Sequence, residues 1–121
     1  MVVENKAIAF RVAGDATIAT LQDTEVPPQV FDLLLGKLAE RRDAGGPVKF
    51  ILDLSKLTFL GSVELSALVH FLKWVTEAKG RLALVGLTGQ CLGVLEVTQL
   101  TKVFNLHPDV SSALEALRRS A

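Results

Sequence analysis

Two short segments near the start of the chain have the pattern of β-strands. Over residues 6–12 the large apolar side chains occupy every second position, and residues 16–21 can return as a second segment of the same kind. A period of two is typical of a β-strand with one buried face. Gly14-Asp15 between the segments is a turn signal, so the pattern predicts a tight β-hairpin.

Four later segments carry apolar residues at the spacing of an amphipathic helix. The first ends at Gly45-Gly46-Pro47, the second covers residues 62–78, and the other two cover 89–97 and 108–117. Their apolar positions are Val30, Phe31, Leu34, Leu35 and Leu38; Leu65, Leu68, Val69, Leu72 and Val75; Leu92 and Leu95; and Val110, Ala113, Leu114 and Leu117.

Two further segments, residues 48–54 and 81–87, are almost continuously apolar, and residues 103–106 form a short extended piece. A continuous apolar run is typical of a central strand that is covered on both faces. The resulting order, ββαβαβα(β)α, predicts parallel pairing of adjacent strands through right-handed crossovers. We therefore expect one α/β domain over residues 1–121. Its mixed, mainly parallel central sheet has the helices largely on one side and the first strand at or near an edge.

Charge and composition exclude several classes of function. Lysine plus arginine and aspartate plus glutamate both number 13, so the formal net charge is zero and nothing favours capture of nucleic acid or an anionic membrane. The single cysteine cannot form an intramolecular disulfide, which indicates a reducing, cytoplasmic environment. Residues 1–9 lack a secretory signal, and no apolar run approaches a membrane span. A near-neutral, apolar-rich chain is also compatible with a homodimer.

The common catalytic signatures are absent from the sequence. It has no Gly-x-Ser-x-Gly elbow, Walker loop or Gly-x-Gly-x-x-Gly motif. His70 is interpreted as a surface side chain and His107 as part of a loop. Cys91 lies in an apolar context that favours inert packing. Two separated histidines and one cysteine make a poor zinc site. The sequence therefore implies no metal, no cofactor and no enzyme.

The informative segment runs from Asp53 to Ser66, where a buried strand ends, a loop follows and a helix begins at a serine. Open α/β folds place their sites at this carboxyl end of the strands. Ser62 is suited to be the N-cap of the helix, and Glu64 in the first turn suits the helix dipole. A phosphate on Ser62 would likewise be tolerated there, and it would change the surface charge without melting the helix.

Taken with its surroundings, this segment resembles the STAS domains of bacterial anti-sigma-factor antagonists. The resemblance rests on Phe-Ile-Leu-Asp-Leu-Ser at 50–55, on Gly-Arg-Leu-Ala-Leu-Val-Gly at 80–86, and on the stretches 95–106 and 110–117. It covers nearly the whole chain. It implies a STAS-like fold and a regulatory protein that binds a partner, with a role in signal transduction and transcription.

Antagonists of this family carry Asp-Ser-[Ser/Thr]-Gly in the loop, and a partner anti-sigma kinase phosphorylates the serine. Aligned on Phe59-Leu60, this chain has Gly61 for the aspartate, Ser62 for the acceptor and Glu64 for the glycine. The resemblance implies partner switching with phosphorylation at Ser62, and Glu64 either mimics the phosphorylated state or excludes the usual kinase. The predicted partner-binding residues are Ser62, Glu64, Ser66, Thr58 and Lys56.

Three alternatives remain open at this point. The first is a STAS adaptor subunit, never phosphorylated, in a signalling or lipid-transport complex. The second is a small enzyme that uses the Ser62 loop, which the absence of a nearby base disfavours. The third is a nucleotide- or lipid-binding variant in which Thr88-Gly89 lines the same rim.

Overall fold

The computed structural model describes residues 7–119. They form one five-stranded sheet whose spatial order equals the sequence order, β1-β2-β3-β4-β5. The strands are β1 (Ile8–Ala13), β2 (Ala16–Leu21), β3 (Lys49–Asp53), β4 (Arg81–Val85) and β5 (Asn105–His107). The predicted start of the first strand at Lys6 lies outside the described residues. Most of residues 1–9, where no secretory signal was predicted, also lies outside them.

Strand pairing in the sheet is mixed and mainly parallel. β1 and β2 are antiparallel and pair Ala13 with Ala16 across a two-residue turn, while the β2–β3, β3–β4 and β4–β5 pairs are all parallel. Gly14 in that turn has a φ of 62°, which a glycine adopts at little cost. The mixed, mainly parallel sheet with its first strand at an edge is confirmed, and so is the parallel pairing of β3 with β4.

Four α-helices and one short 3₁₀ helix connect or follow the strands. They are α1 (Gln29–Asp43), α2 (Ser62–Glu77), α3 (Gly89–Val97), the 3₁₀ helix Leu100–Lys102 and α4 (Val110–Arg119). Buried residues of α1, α2 and α3 join one core on one face of the sheet, and those of α4 join a smaller core on the other face. The helices therefore lie largely on one side, as predicted.

The larger core is built around aromatic and leucine side chains of the central strands. Phe50 of β3 and Phe71 of α2 pack edge to face with ring centroids 5.5 Å apart. Ile51, which points to the opposite face from Phe50, is fully buried in the smaller core. Burial of β3 on both faces explains why its sequence is a continuous apolar run.

Two local predictions were wrong. Residues 103 and 104 are not extended, because a 3₁₀ helix occupies Leu100–Lys102 and the last strand begins only at Asn105. His107 is not in a loop, since it ends β5 and pairs with Val85. A three-residue strand is too short for its own periodicity to be visible, so only pairing with β4 defines it.

Candidate functional site

The segment between β3 and α2, residues 54–61, lies where the parallel strands of the sheet end. β2, β3 and β4 all run in the same direction, so the connection that follows β4 and leads into α3 emerges at the same edge. This edge is where open α/β sheets place their binding sites. Leu57 and Leu60 turn their side chains into the core, which leaves the side chains between and after them at the surface.

Hydrogen bonds hold this loop from both sides. On the α1 side, the Thr58 N–H and hydroxyl both donate to the Thr24 carbonyl, at 2.9 and 3.3 Å. On the α3 side, the Leu60 N–H donates to Gln90 Oε1 at 3.1 Å, and the Cys91 thiol approaches the Leu57 carbonyl at 3.7 Å. Because its backbone is tied to two neighbouring elements, the loop presents its exposed residues in a fixed arrangement.

The first turn of α2 differs from the prediction in one respect. The N-cap is Gly61, with φ −91° and ψ 178°, and Ser62 is the first residue inside the helix. The capping role assigned to the Ser62 side chain was therefore wrong. The carboxylate of Glu64 instead turns back, and its Oε1 accepts a hydrogen bond from the Gly61 N–H at 3.0 Å. This is one half of a capping box, supplied from the third helical position.

The Ser62 side chain is exposed, and so are apolar side chains next to it in the chain and further along α2. Val63 is 74% exposed, Phe59 in the preceding loop 49%, and Trp74 on the same helix 51%. Val63 and Trp74 are eleven positions apart, which is close to three helical turns, so they lie on the same face of α2. We use the term α2 surface for the exposed side chains of Phe59, Ser62, Val63, Ser66 and Trp74.

The cysteine and histidines bring no catalytic arrangement to this surface. Cys91 is fully buried in the larger core, and burial raises the pKa of its thiol, which disfavours the reactive thiolate. His70 is exposed on α2, as predicted, and His107 lies in β5. Ser62 is therefore an accessible hydroxyl in the first turn of a helix, in a setting suited to binding or modification.

Comparison with known proteins identifies the family. A sequence model described as the STAS domain matches residues 7–113. The chain belongs to the STAS domain family. A Thermotoga maritima protein described as an anti-sigma factor antagonist is 31% identical over 90 residues, covering 74% of this chain and 73% of that protein.

Solved structures place the fold in the same family. A crystal structure of a Thermotoga maritima protein described as an anti-sigma factor antagonist superposes with a TM-score of 0.78 at 23% identity, covering 93% of this chain and 95% of that one. An anti-sigma factor antagonist from Mycobacterium paratuberculosis gives 0.77 at 23% identity, with 92% of each chain covered. At these identities the likeness shows the STAS fold. Within residues 7–119, no helix is both long and apolar enough to span a membrane.

The five predicted binding residues occupy different positions in this STAS domain. Ser62 and Ser66 are exposed on the first two turns of α2, while Glu64 is partly buried and directed at the backbone. Thr58 and Lys56 lie in the loop before the helix, where Thr58 acts as a tether and Lys56 is exposed. Ser62, Glu64 and Ser66 therefore share the start of α2, and Lys56 and Thr58 belong to the loop that leads into it.

Sequence reasoning missed four residues of this site. Val63 and Trp74 are apolar at positions that the buried face of α2 does not use, so the helical period could have identified them. Phe59 was used only to align the motif, although it is exposed. Gln90 is 30 residues away from its partner Leu60, and no sequence signal links the two.

Proposed function

We propose that this STAS domain is a bacterial, cytoplasmic regulatory protein that acts by partner switching. In its unmodified form it binds an anti-sigma-type serine kinase through the α2 surface. Phosphorylation of Ser62 by that kinase then releases the partner. The kinase replaces the hydroxyl hydrogen of Ser62 with the γ-phosphoryl group of ATP and leaves ADP, so this chain is a substrate and a binding partner rather than an enzyme.

The observation that carries the proposal is the placement of Ser62. Its side chain is exposed in the first turn of α2, where the positive end of the helix dipole tolerates a phosphate. A phosphate adds close to two negative charges at pH 7. The fold can therefore remain intact while the surface seen by a partner changes its charge.

The apolar residues around Ser62 support a protein as the partner. Phe59 and Val63, close to Ser62 in the chain, and Trp74, three turns along α2, expose large apolar side chains. Aromatic side chains, tryptophan above all, are enriched among the residues that dominate binding energy in protein interfaces. A phosphate at Ser62 would introduce a strongly hydrated charge next to Phe59 and Val63, which opposes burial of this end of the surface against a partner.

The first experiment tests phosphorylation directly. The purified chain is incubated with ATP and the candidate kinase, a histidine-kinase-like ATPase from the same organism, and peptide mass spectrometry locates any added phosphoryl group. We expect Ser62 to be modified and the Ser62→Ala variant to stay unmodified. Ser66→Ala is the matched control, because Ser66 is an exposed serine one turn further along the same helix. Modification that survives Ser62→Ala would contradict the assignment.

The second experiment tests the switch by calorimetry with the same kinase in the absence of ATP. Ser62→Asp should weaken binding strongly, while Ser66→Asp should weaken it less. Raised salt should recover part of the lost affinity, because like charges at an interface are screened. If neither variant alters the affinity and circular dichroism shows an intact fold, the α2 surface is not the binding site.

One observation favours an adaptor that is never phosphorylated. Gly61 stands where the antagonists that this chain resembles carry an aspartate next to the acceptor serine. An adaptor subunit of a signalling or lipid-transport complex would bind its partner without any change at Ser62. It would give no phosphoryl transfer in the first experiment, yet Trp74→Ala would still weaken binding of its partner.

A further inference from the structure

Two successive backbone N–H groups just before Ser62 are held by side-chain oxygens from two different helices. The Leu60 N–H donates to Gln90 Oε1 of α3 at 3.1 Å. The Gly61 N–H donates to Glu64 Oε1 of α2 at 3.0 Å. Both bonds are partly buried, and the Leu60 side chain itself is anchored in the core. The direction in which the chain enters α2 is therefore set by two side chains outside the loop.

The Glu64 carboxylate lies close to the position that a side chain at residue 61 would occupy. A Cβ atom built on Gly61 would lie 2.6 Å from Glu64 Oε1 and 3.0 Å from Cε2 of the Phe59 ring. A separation of 2.6 Å is too short, so either the carboxylate or the backbone would have to move. Because the carboxylate is the far end of a flexible side chain, a residue larger than glycine at 61 would displace it and disturb its present hydrogen bond to the Gly61 N–H, while the φ of −91° at Gly61 suits any residue.

This geometry also separates two roles for Glu64. A carboxylate that mimics a phosphate on Ser62 has to face the partner. The Glu64 carboxylate instead faces the backbone of Gly61, next to the Phe59 ring, and its charge lies against the positive end of the α2 dipole. The hydrogen bond accounts for its orientation without any partner.

We propose that Glu64 and Gln90 are positioning residues of the α2 surface. Through the N–H groups of Gly61 and Leu60 they fix the backbone from which the side chains of Phe59, Ser62 and Val63 project. Glu64 acts through an oxygen acceptor and not through a charge presented to the partner. We call these two hydrogen bonds, from Leu60 N–H to Gln90 and from Gly61 N–H to Glu64, the bracket. Its role in recognition rests on the proposed function, whereas its geometry is a property of the free protein.

The first test uses NMR of the free protein, so it does not require a partner. In Glu64→Ala the Gly61 amide should exchange with solvent about tenfold faster, since a hydrogen bond to a charged group is lost, and the Ser62 resonances should shift. Glu64→Gln keeps an oxygen acceptor and should retain most of the protection. Glu96→Gln, at an exposed glutamate of α3, is the control and should change neither signal. Unchanged Gly61 exchange in Glu64→Ala would overturn the proposal.

Gln90 is tested in the same way through the amide of Leu60. Gln90→Ala should accelerate exchange of the Leu60 amide about tenfold and shift the Phe59 and Ser62 resonances. Gln90→Glu retains an oxygen acceptor and should preserve the protection. Gln29→Ala, at an exposed glutamine at the start of α1, is the matched control. Equal Leu60 exchange in the wild type and in Gln90→Ala would remove Gln90 from the bracket.

A double-mutant cycle tests the coupling between positions 61 and 64. Gly61→Ala should raise the unfolding equilibrium constant about threefold in the Glu64→Ala background, because alanine is a poorer N-cap than glycine, and by more in the wild-type background, where the added Cβ also displaces the Glu64 carboxylate. Additive effects would contradict the coupling. These measurements and the kinase assays are independent: a chain that shows the bracket but binds no kinase rejects the proposed function alone, while one that switches at Ser62 without the bracket rejects this inference alone.

Discussion

Ser62 contributes an exposed hydroxyl to the first turn of α2, and the backbone at the start of that helix is capped by another residue, Glu64. Removing the hydroxyl should therefore affect function much more than stability. We expect Ser62→Ala to change the free energy of unfolding by less than about 0.5 kcal/mol, which is typical of exposed positions, while phosphorylation is abolished. Urea denaturation measures the first effect. A loss near 1 kcal/mol, typical of a lost N-cap, would show that the hydroxyl caps the helix in solution.

Asp109 immediately precedes α4, and its Oδ1 accepts a hydrogen bond from the Ser112 N–H at 2.8 Å. This hydrogen bond is the main cause that lowers the pKa of Asp109 below its ordinary value of 3.8. Because the folded-state pKa is the lower one, the stabilisation is fully present above the unfolded-state value and is lost as the pH falls through the folded-state value.

The pH dependence of stability reports on this cap of α4. As the pH falls below about 4, the wild type should lose stability more steeply than Asp109→Asn, which has no carboxylate to protonate at this position. Denaturation curves recorded at several acidic pH values give both slopes. Parallel slopes for the two proteins would mean that the hydrogen bond from Ser112 does not favour the charged form in solution.

At the scale of the elements, periodicity predicted the long segments well and the short ones poorly. α2 is long enough for a helical repeat to appear, and β3 and β4 are continuous apolar runs; the bounds of all three differ from the predicted ones by two residues or fewer. β5 has three residues, and its pairing with β4 is a tertiary event that local sequence cannot report. The N-cap was predicted at Ser62 but lies at Gly61, whose N–H donates to the side chain of Glu64, three positions further along the chain.

Two glycines at different kinds of position offer a matched test of element stability. A Cβ on Gly36, within α1, would meet no atom within 4 Å, whereas a Cβ on Gly80, between α2 and β4, would lie 2.6 Å from the Val48 carbonyl oxygen. Gly36→Ala should stabilise the protein by about 1 kcal/mol because alanine favours the helix. Gly80→Ala should destabilise it by about 1–3 kcal/mol through overcrowding. Thermal or urea denaturation of both variants checks the opposite signs.

Across the whole molecule, the sequence predicted the sheet and the side on which most helices lie, while the candidate site stays a prediction. The carboxyl end of a buried strand followed by Ser62 indicated its region. Gln90 joins it only through folding, because it lies 30 residues from its hydrogen-bond partner Leu60. Contacts between distant segments depend on packing, which a single sequence does not encode locally.

Substitutions at Leu117 and Trp74 can separate the effect on stability from the effect on binding. Leu117 of α4 is 2% exposed in the smaller core, on the sheet face opposite α2, while Trp74 is half exposed on the α2 surface. Leu117→Ala should cost about 2–5 kcal/mol of stability, as buried leucines do, yet leave kinase affinity unchanged while the protein stays folded. Trp74→Ala should cost about 1 kcal/mol of stability or less but weaken binding by about 2 kcal/mol or more, as expected for a central aromatic contact. Urea denaturation and calorimetry at a temperature where both variants are folded measure the two quantities side by side. Unchanged affinity in Trp74→Ala, or weakened affinity in folded Leu117→Ala, would move the partner's contact away from α2 and towards the opposite face of the sheet.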